Sequence, residues 1–190
     1  MVARSSIKRR IVASLEQVTR SRAVPIALRS SVVTDAERIA RILIDVRSAF
    51  MPYAPLAHTP DEVRTWVRAS VVTSPGTVIA ERNGELVGVV VMRREPACSW
   101  IMQMAVDPRY VGTGIGSALL EHAFAVLLPP IRLYTFQANA GARRFYQRHG
   151  FRAIQSCDDH GNEERCPDVL YEFIAPAGDG IPSRSKADWE

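Results

Sequence analysis

The chain has 190 residues and a mass of 21.1 kDa, and 47% of its residues are apolar and 23% charged. This length and balance predict one globular domain with a substantial core, and no apolar run approaches the length of a membrane-spanning segment. The three cysteines are too few for a disulfide framework and odd in number, so we expect a reducing cytoplasm.

The net charge of +4 is unevenly distributed along the chain. Residues 1–23 contain six basic residues and one acidic residue, a charge of +5, so the remainder carries −1. A basic arm can bind nucleic acid or an anionic membrane surface, but a run of charges is usually only solvated. We therefore predict a flexible N-terminal extension over residues 1–24 and favour no nucleic-acid or membrane partner.

The first half of the domain reads as a strand followed by two helices. Residues 26–29 predict the strand, and Thr34 and Asp35 are N-cap candidates for an amphipathic helix after it. A loop with two prolines, residues 50–58, follows that helix. The segment Thr59-Pro60-Asp61-Glu62 then supplies a cap, a proline at the first helical position and an acidic residue at the third. This segment predicts the start of the second helix.

Three strands come next. Residues 77–82 and 85–93 are rich in β-formers and are joined by Asn83-Gly84, the strongest short signal for a hairpin. Residues 86–92 are apolar on both faces, which predicts a central position in the sheet. Residues 98–106 predict a fourth strand.

Gly112, Gly114 and Gly116 lie between the fourth strand and a third helix. Glycine lets the backbone adopt positive φ and approach a ligand with no Cβ in the way. The helix begins at about Gly114, so its first amides have no partner within the helix and attract phosphate. The alternative is a tight connection with no ligand. No lysine follows in P-loop spacing, which argues against a nucleotide triphosphatase.

The rest of the chain predicts a strand, a helix and two strands. Pro129-Pro130 ends the third helix, and residues 131–136 form the fifth strand. A fourth helix spans residues 140–148 and ends at Gly150. Two strands close the domain, over residues 151–156 and 169–173. The domain then covers residues 25–175, and residues 176–190 form a disordered C-terminal tail.

The glycine turn resembles the acetyl-CoA motif of the GNAT superfamily of N-acetyltransferases. The family's pattern Q/R-x-x-G-x-G/A falls on residues 111–116, after a Val-Asp-Pro segment and a tyrosine. Val111 departs from this pattern, because the family usually has Arg or Gln there. Since the loop is expected to bind through backbone amides, the departure should weaken binding only slightly.

A second segment, residues 136–151, resembles the family's N-x-x-A-x-x-F-Y-x-x-x-G-F helix. The matching residues are Asn139, Ala142, Phe145, Tyr146, Gly150 and Phe151. The resemblance implies that Asn139 lies near the pantetheine arm and Tyr146 near the CoA sulfur, as a general acid or CoA contact. On chemistry alone, Asn139 is a good N-cap and Tyr146 could equally be a buried structural aromatic.

The resemblance also implies the fold and the activity. The fold is α+β, of α/β/α type, with a mixed, mostly antiparallel seven-stranded sheet flanked by four helices. The expected activity is transfer of acetyl from acetyl-CoA to a primary amine, on a small molecule or a peptide, by a monomer or homodimer. The fourth strand should splay from the fifth to receive the pantetheine. The residues implied to bind acetyl-CoA are Met104, Ala105, Val106, Val111, Gly112, Thr113, Gly114, Ile115, Gly116, Ser117, Asn139, Ala142 and Tyr146.

The general base is the open point, because the fourth strand contains no acid or histidine. Tyr53, His58 and Glu81 are the substrate-side candidates, with Glu164, Asp168 or solvent as alternatives. Two other functions also stay open: an acyl-CoA-binding module without turnover, and a nucleic-acid-associated protein acting through its basic arm.

No metal is expected. Cys157, His160 and Cys166 have irregular spacing and no evident fourth partner, which argues against a zinc site.

Overall fold

The structure is a computed structural model that describes residues 24–158 and 162–175. The predicted extension, apart from residue 24, and the predicted tail lie outside the described residues, as does His160.

A single mixed sheet organises the described residues, in the strand order β1-β2-β3-β4-β5-β7-β6. Every neighbouring pair is antiparallel except β4 and β5, which are parallel. The seven strands are β1 Ala27–Ser30, β2 Thr77–Arg82, β3 Glu85–Arg94, β4 Ser99–Val106, β5 Ile131–Phe136, β6 Arg152–Cys157 and β7 Asp168–Phe173.

Four α-helices flank this sheet within the described ranges: α1 Ala36–Phe50, α2 Pro60–Trp66, α3 Ile115–Val126 and α4 Ala140–Arg148. Helix α2 continues as a π-helical turn over Val67–Val71. One apolar core lies between the sheet and α3 and α4, and a second lies between the sheet and α1. The predicted fold class is therefore confirmed.

Local sequence signals account for much of this architecture. Asn83 and Gly84 both have positive φ, at 54° and 74°, and join β2 to β3 as predicted. The seven residues from Leu86 to Met92 in β3 are all buried, as expected of a strand covered on both faces. The Thr59 hydroxyl accepts from the Glu62 amide and the Glu62 carboxylate accepts in return, so the predicted capping box is confirmed.

Asp35, one of the two predicted candidates, is the N-cap of α1, but its side chain makes no capping hydrogen bond. A 3-10 turn over Val33–Asp35 leads into α1, and no side chain caps that helix. The Asp35 carboxylate instead accepts two hydrogen bonds from Arg29, at 2.7 and 2.9 Å, and one from the Val32 amide at 2.8 Å. The arginine on the neighbouring strand competes successfully for the carboxylate, and the pKa of Asp35 is lowered as a result.

Candidate active site

Strands β4 and β5 separate along their length. Only two residue pairs join them, Ser99 with Ile131 and Trp100 with Arg132, at the beginning of each strand. The strands run on to Val106 and Phe136 with no further pairing between them. This confirms the predicted splay and leaves the β5-facing main chain of β4 available to a ligand.

A β-bulge interrupts β4 just beyond the paired end. Val91 of β3 pairs with Gln103, whereas Met92 pairs with Ile101, so Met102 is the extra residue. The Met102 side chain is 42% exposed. A bulge redirects backbone groups and is common beside active sites. The sequence contained no signal for it.

The glycine turn follows β4 directly. Gly112 and Gly114 have φ of 82° and 92°, and a Cβ added to either would meet nothing within 4 Å. Gly114 is the N-cap of α3, and no side chain satisfies the first amides of that helix. The turn therefore presents free N–H groups and an open space in front of them, the arrangement that binds phosphate at helix N-termini.

Gly116 has a different role from Gly114. A Cβ at Gly116 would lie 3.3 Å from the Phe145 ring, so its small size allows α3 to pack against α4. Ala142 is half-buried beside the same core. The implied contact of Gly116 with acetyl-CoA stays a prediction.

Buried ion pairs hold the glycine turn in place. The Asp107 carboxylate is almost fully buried and accepts from Arg109 at 2.8 Å and from Arg38 of α1 at 2.5 Å. Glu85 of β3 accepts from both arginines and from the Tyr110 hydroxyl. Arg109 is the main reason that the pKa of Asp107 lies well below its usual range. The sequence reasoning missed this network, because its partners are up to 69 residues apart.

Asn139 and Tyr146 occupy the two ends of α4. The Asn139 side-chain oxygen accepts from the Ala142 amide at 3.0 Å, which confirms its role as N-cap. Tyr146 is 7% exposed and packs against the rings of Phe151 and Tyr171, with centroid distances of 5.6 and 6.4 Å. Burial raises the pKa of Tyr146, so its phenol stays protonated near neutral pH.

The Tyr146 hydroxyl has no hydrogen-bond partner among the described residues. The two fully enclosed side-chain atoms without partners are Nε of Arg47 and Oδ1 of Asp168, so the Tyr146 oxygen is not sealed off. A structural tyrosine normally bonds its hydroxyl to a nearby carbonyl. The Tyr146 hydroxyl is instead available to a ligand.

The loop after α1 is fastened to the segment before β7. Arg47 forms an ion pair with Glu164 at 2.8 Å and also donates to the carbonyl of Pro55. His58 lies 2.7 Å from a Glu163 carboxylate oxygen through its Nε2 atom. These contacts hold His58 against the segment that precedes β7.

Aromatic pairs line the sheet face that β4 and β5 present on this side. Tyr53 meets Phe136 edge-on, with ring centroids 6.2 Å apart, and its pKa is raised by burial. Tyr134, two residues before Phe136, therefore faces the same side; it is 53% exposed and stacks on Trp100 at 5.8 Å. The sequence analysis did not single out Trp100 and Tyr134, although Trp100 lies just before the part of β4 that has no pairing with β5, and Tyr134 lies in the corresponding part of β5.

Glu81 lies away from the other two substrate-side candidates. Its carboxylate accepts from Arg29 at 2.7 and 3.0 Å, in the same cluster as Asp35. Strand β2 lies two places away from β4 in the sheet, so the structure does not bring Glu81 together with Tyr53 and His58.

Asp168 begins β7 opposite Phe136 and accepts from Asn162 at 3.0 Å. Cys157 and Cys166 are not joined by a disulfide. Within residues 24–158 and 162–175, no group of three or more His, Cys, Asp and Glu side chains is placed to hold a metal ion. In the same ranges no helix combines the length and apolar character needed to cross a membrane.

The opened sheet, the free amides of the glycine turn and the unpartnered phenol are the features that binding of an extended, phosphorylated acyl carrier would require. The sequence profile of the Acetyltransferase (GNAT) family matches residues 43–151, more than half of the chain. The chain therefore belongs to the GNAT acetyltransferase family.

Individual relatives are more distant. Mycothiol acetyltransferase from Rothia mucilaginosa (strain DY-18) is 28% identical over 127 residues, covering 60% of this chain and 32% of that protein. The chain thus spans about a third of the length of this curated relative.

Among solved structures, apo YjaB from Escherichia coli superposes with a TM-score of 0.65 at 20% identity, covering 80% of this chain and 99% of that one. The PaiA N-acetyltransferase from Thermoplasma acidophilum, in complex with coenzyme A, gives 0.62 at 18% identity with the same coverage. At these identities the likeness shows the fold.

Proposed function

We propose that the chain transfers acetyl from acetyl-CoA to a primary amine by direct attack, without an acetyl-enzyme intermediate. The amine nitrogen attacks the thioester carbon, a C–N bond forms, the C–S bond breaks, and CoA leaves as a thiolate that takes up a proton. The observation that carries the proposal is the Tyr146 side chain, which is buried in the helix that follows the opened strand but whose hydroxyl is unpartnered among the described residues and not sealed off.

The donor side of the site supports this activity. The main chain of Met104, Ala105 and Val106 runs along the unpaired part of β4 and offers amides and carbonyls to the pantetheine. The turn from Val111 to Ser117 offers its free amides to the pyrophosphate, and Asn139 lies at the start of α4 near the pantetheine arm. Tyr146 then protonates the leaving thiolate.

On the acceptor side, the proton of the amine needs a route to solvent. An amine attacks only when neutral, and a lysine-type ammonium has a pKa of about 10.4. Among the three substrate-side candidates, Tyr53 contacts Phe136 at the end of β5, His58 pairs with Glu163, and Glu81 is engaged by Arg29. If His58 donates its Nε2 proton to Glu163, its Nδ1 atom can accept a proton from the amine, directly or through water.

The aromatic pairs favour an acceptor with an apolar or aromatic group next to its amine, on a small molecule or a peptide. Tyr134 is the most exposed ring of the four and is therefore the most accessible to such a group. The three cysteines form no disulfide among the described residues, which is compatible with the reducing cytoplasm that the cysteine count favours.

Free CoA released from acetyl-CoA in the presence of an amine panel tests the proposal. The panel pairs tryptamine and phenethylamine with spermidine and short peptides, and mass spectrometry identifies the acetylated product. We expect amine-dependent release with at least one aromatic amine. If acetyl-CoA binds but no amine accelerates release above the rate without amine, the chain is a binding module.

A further inference from the structure

His149 connects the end of α4 to the phosphate-binding turn. Its Nδ1 atom lies 2.8 Å from the Phe145 carbonyl oxygen, and its Nε2 atom lies 3.2 Å from the Ser117 hydroxyl oxygen. A carbonyl oxygen only accepts, so Nδ1 carries a proton. In the neutral imidazole, Nε2 is then an acceptor and Ser117 must donate to it.

Ser117 is the third residue of α3 after its Gly114 cap. Side chains in a helix tilt toward its N-terminus, so the Ser117 oxygen lies toward the end of α3 that presents the free amides. While His149 is neutral, the one hydroxyl proton of Ser117 is directed at Nε2. The remaining lone pairs of that oxygen cannot bind a phosphate, which offers no proton.

Protonation of His149 reverses this hydrogen bond. Nε2 then donates to the Ser117 oxygen, and the hydroxyl proton is free to point at a phosphate oxygen. The imidazolium charge adds attraction for the same anion. We propose that His149 is a positioning residue for coenzyme binding, which switches Ser117 from a poor to a good phosphate ligand when it is protonated. This proposal rests on the proposed assignment of the turn as the pyrophosphate site.

The charged residues near His149 form no ion pair with it that would compete with the hydrogen bond to Ser117. Helix α3 packs against it, and Glu121 lies four residues after Ser117 on the same helical face. Arg144 and Arg148 are the charged residues nearest to it on α4. Within the described part of the chain, His149 forms no ion pair with these side chains, and the Phe145 ring lies tilted against it with the ring centroids 4.4 Å apart.

The test measures binding of 3′-dephospho-CoA by isothermal titration at pH 5.5 and 8.5, because histidine side chains change charge in this interval. The truncated ligand is needed since a phosphomonoester itself titrates near pH 6 and would alter the affinity of CoA. For the wild-type chain we expect binding on the order of tenfold tighter at pH 5.5, as one charge-assisted hydrogen bond is gained.

Three variants separate the proposed switch from other titrations. Ser117→Ala and His149→Gln should each bring the ratio of the two affinities close to one. His122→Gln is the matched control, because His122 lies on the same helix α3 and should leave the ratio at its wild-type value. By linkage, NMR should also show the His149 ring titrating at higher pH with ligand bound in wild type, but not in Ser117→Ala.

A wild-type ratio that persists in both Ser117→Ala and His149→Gln would overturn the switch while leaving the coenzyme site intact. Absence of binding by the wild-type chain at both pH values would instead overturn the assignment of the turn, and the switch with it. If His149→Gln does not fold, Ser117→Ala and the NMR titration decide the question, since Ser117 is only half-buried.

Discussion

Replacing Tyr146 by Phe removes one hydroxyl and tests whether it protonates the leaving thiolate. The ring keeps its packing against Phe151 and Tyr171, and no hydrogen bond within the described residues is lost. The melting temperature and acetyl-CoA affinity should therefore be nearly unchanged. General acid catalysis contributes roughly 10²–10⁴-fold, and even a partly compensated loss should lower kcat at least about tenfold.

Tyr171→Phe is a matched control for this substitution. Tyr171 is fully buried near Tyr146, but its hydroxyl accepts from Arg143 and Gln147, both at 3.3 Å. Its loss should cost about 1 kcal/mol of unfolding free energy and leave kcat within about twofold. Initial rates of CoA release at saturating substrates, titration calorimetry and thermal melting measure all three quantities for each variant.

Two results would refute the reasoning about Tyr146. Wild-type kcat in Tyr146→Phe would mean that the thiolate leaves unaided and that Tyr146 only forms a wall of the site. A melting temperature lowered as much as in Tyr171→Phe would mean that the Tyr146 hydroxyl makes a structural hydrogen bond.

Four further predictions concern the turn and the acceptor side. Val111→Arg restores the residue usual in the family at an exposed position with an ordinary φ. Calorimetry should show acetyl-CoA binding tightened about threefold to tenfold, and weaker binding would contradict the prediction. Gly114→Asp should abolish acetyl-CoA binding. Because any side chain is strained at φ 92°, Gly114→Ala is the control for strain, and it should bind acetyl-CoA more tightly than Gly114→Asp. Folding lowers the pKa of Asp107, so its contribution to stability is present above the unfolded pKa of about 3.9 and is lost as pH falls. Asp107→Asn should therefore lower the free energy of unfolding by about 2–3 kcal/mol at pH 7, measured by denaturant unfolding, and make stability depend less on pH in the acidic range. An unchanged denaturation midpoint would refute the network. Tyr134→Ser should raise KM for tryptamine severalfold and leave KM for spermidine unchanged, whereas equal effects on both would remove the aromatic acceptor surface.

The parts of the fold that the sequence predicted are those with local causes. The Asn83-Gly84 turn, the Thr59 capping box and the Gly150 helix end each depend on residues within a few positions of one another. The buried run in β3 is similarly visible, because a central strand is apolar on both faces. The glycine turn and the Asn139 cap belong to this group and locate the donor half of the site.

The parts that were missed depend on partners far apart in the chain. The Asp35 carboxylate accepts from Arg29 and makes no capping hydrogen bond, and Asp107 accepts from Arg38, which lies 69 residues away in the sequence. The bulge at Met102 depends on the register between two strands, which composition does not determine. Gly116 matched the phosphate motif, yet its lack of a side chain serves the packing of α3 on α4.

The distribution of burial in the site fits the two proton transfers that the reaction requires. A thiolate leaving group needs a donor that is protonated at neutral pH, and the Tyr146 phenol meets this need because an ordinary phenol is already protonated there and burial raises its pKa further. The amine has the opposite need, because it must lose a proton before it attacks. That proton must escape to solvent in each turnover, and the exposed His58 side chain allows this, whereas a carboxylate buried within β4 would not release it as readily. The absence of an acid from β4 is therefore compatible with catalysis, provided that the acceptor side remains open to water.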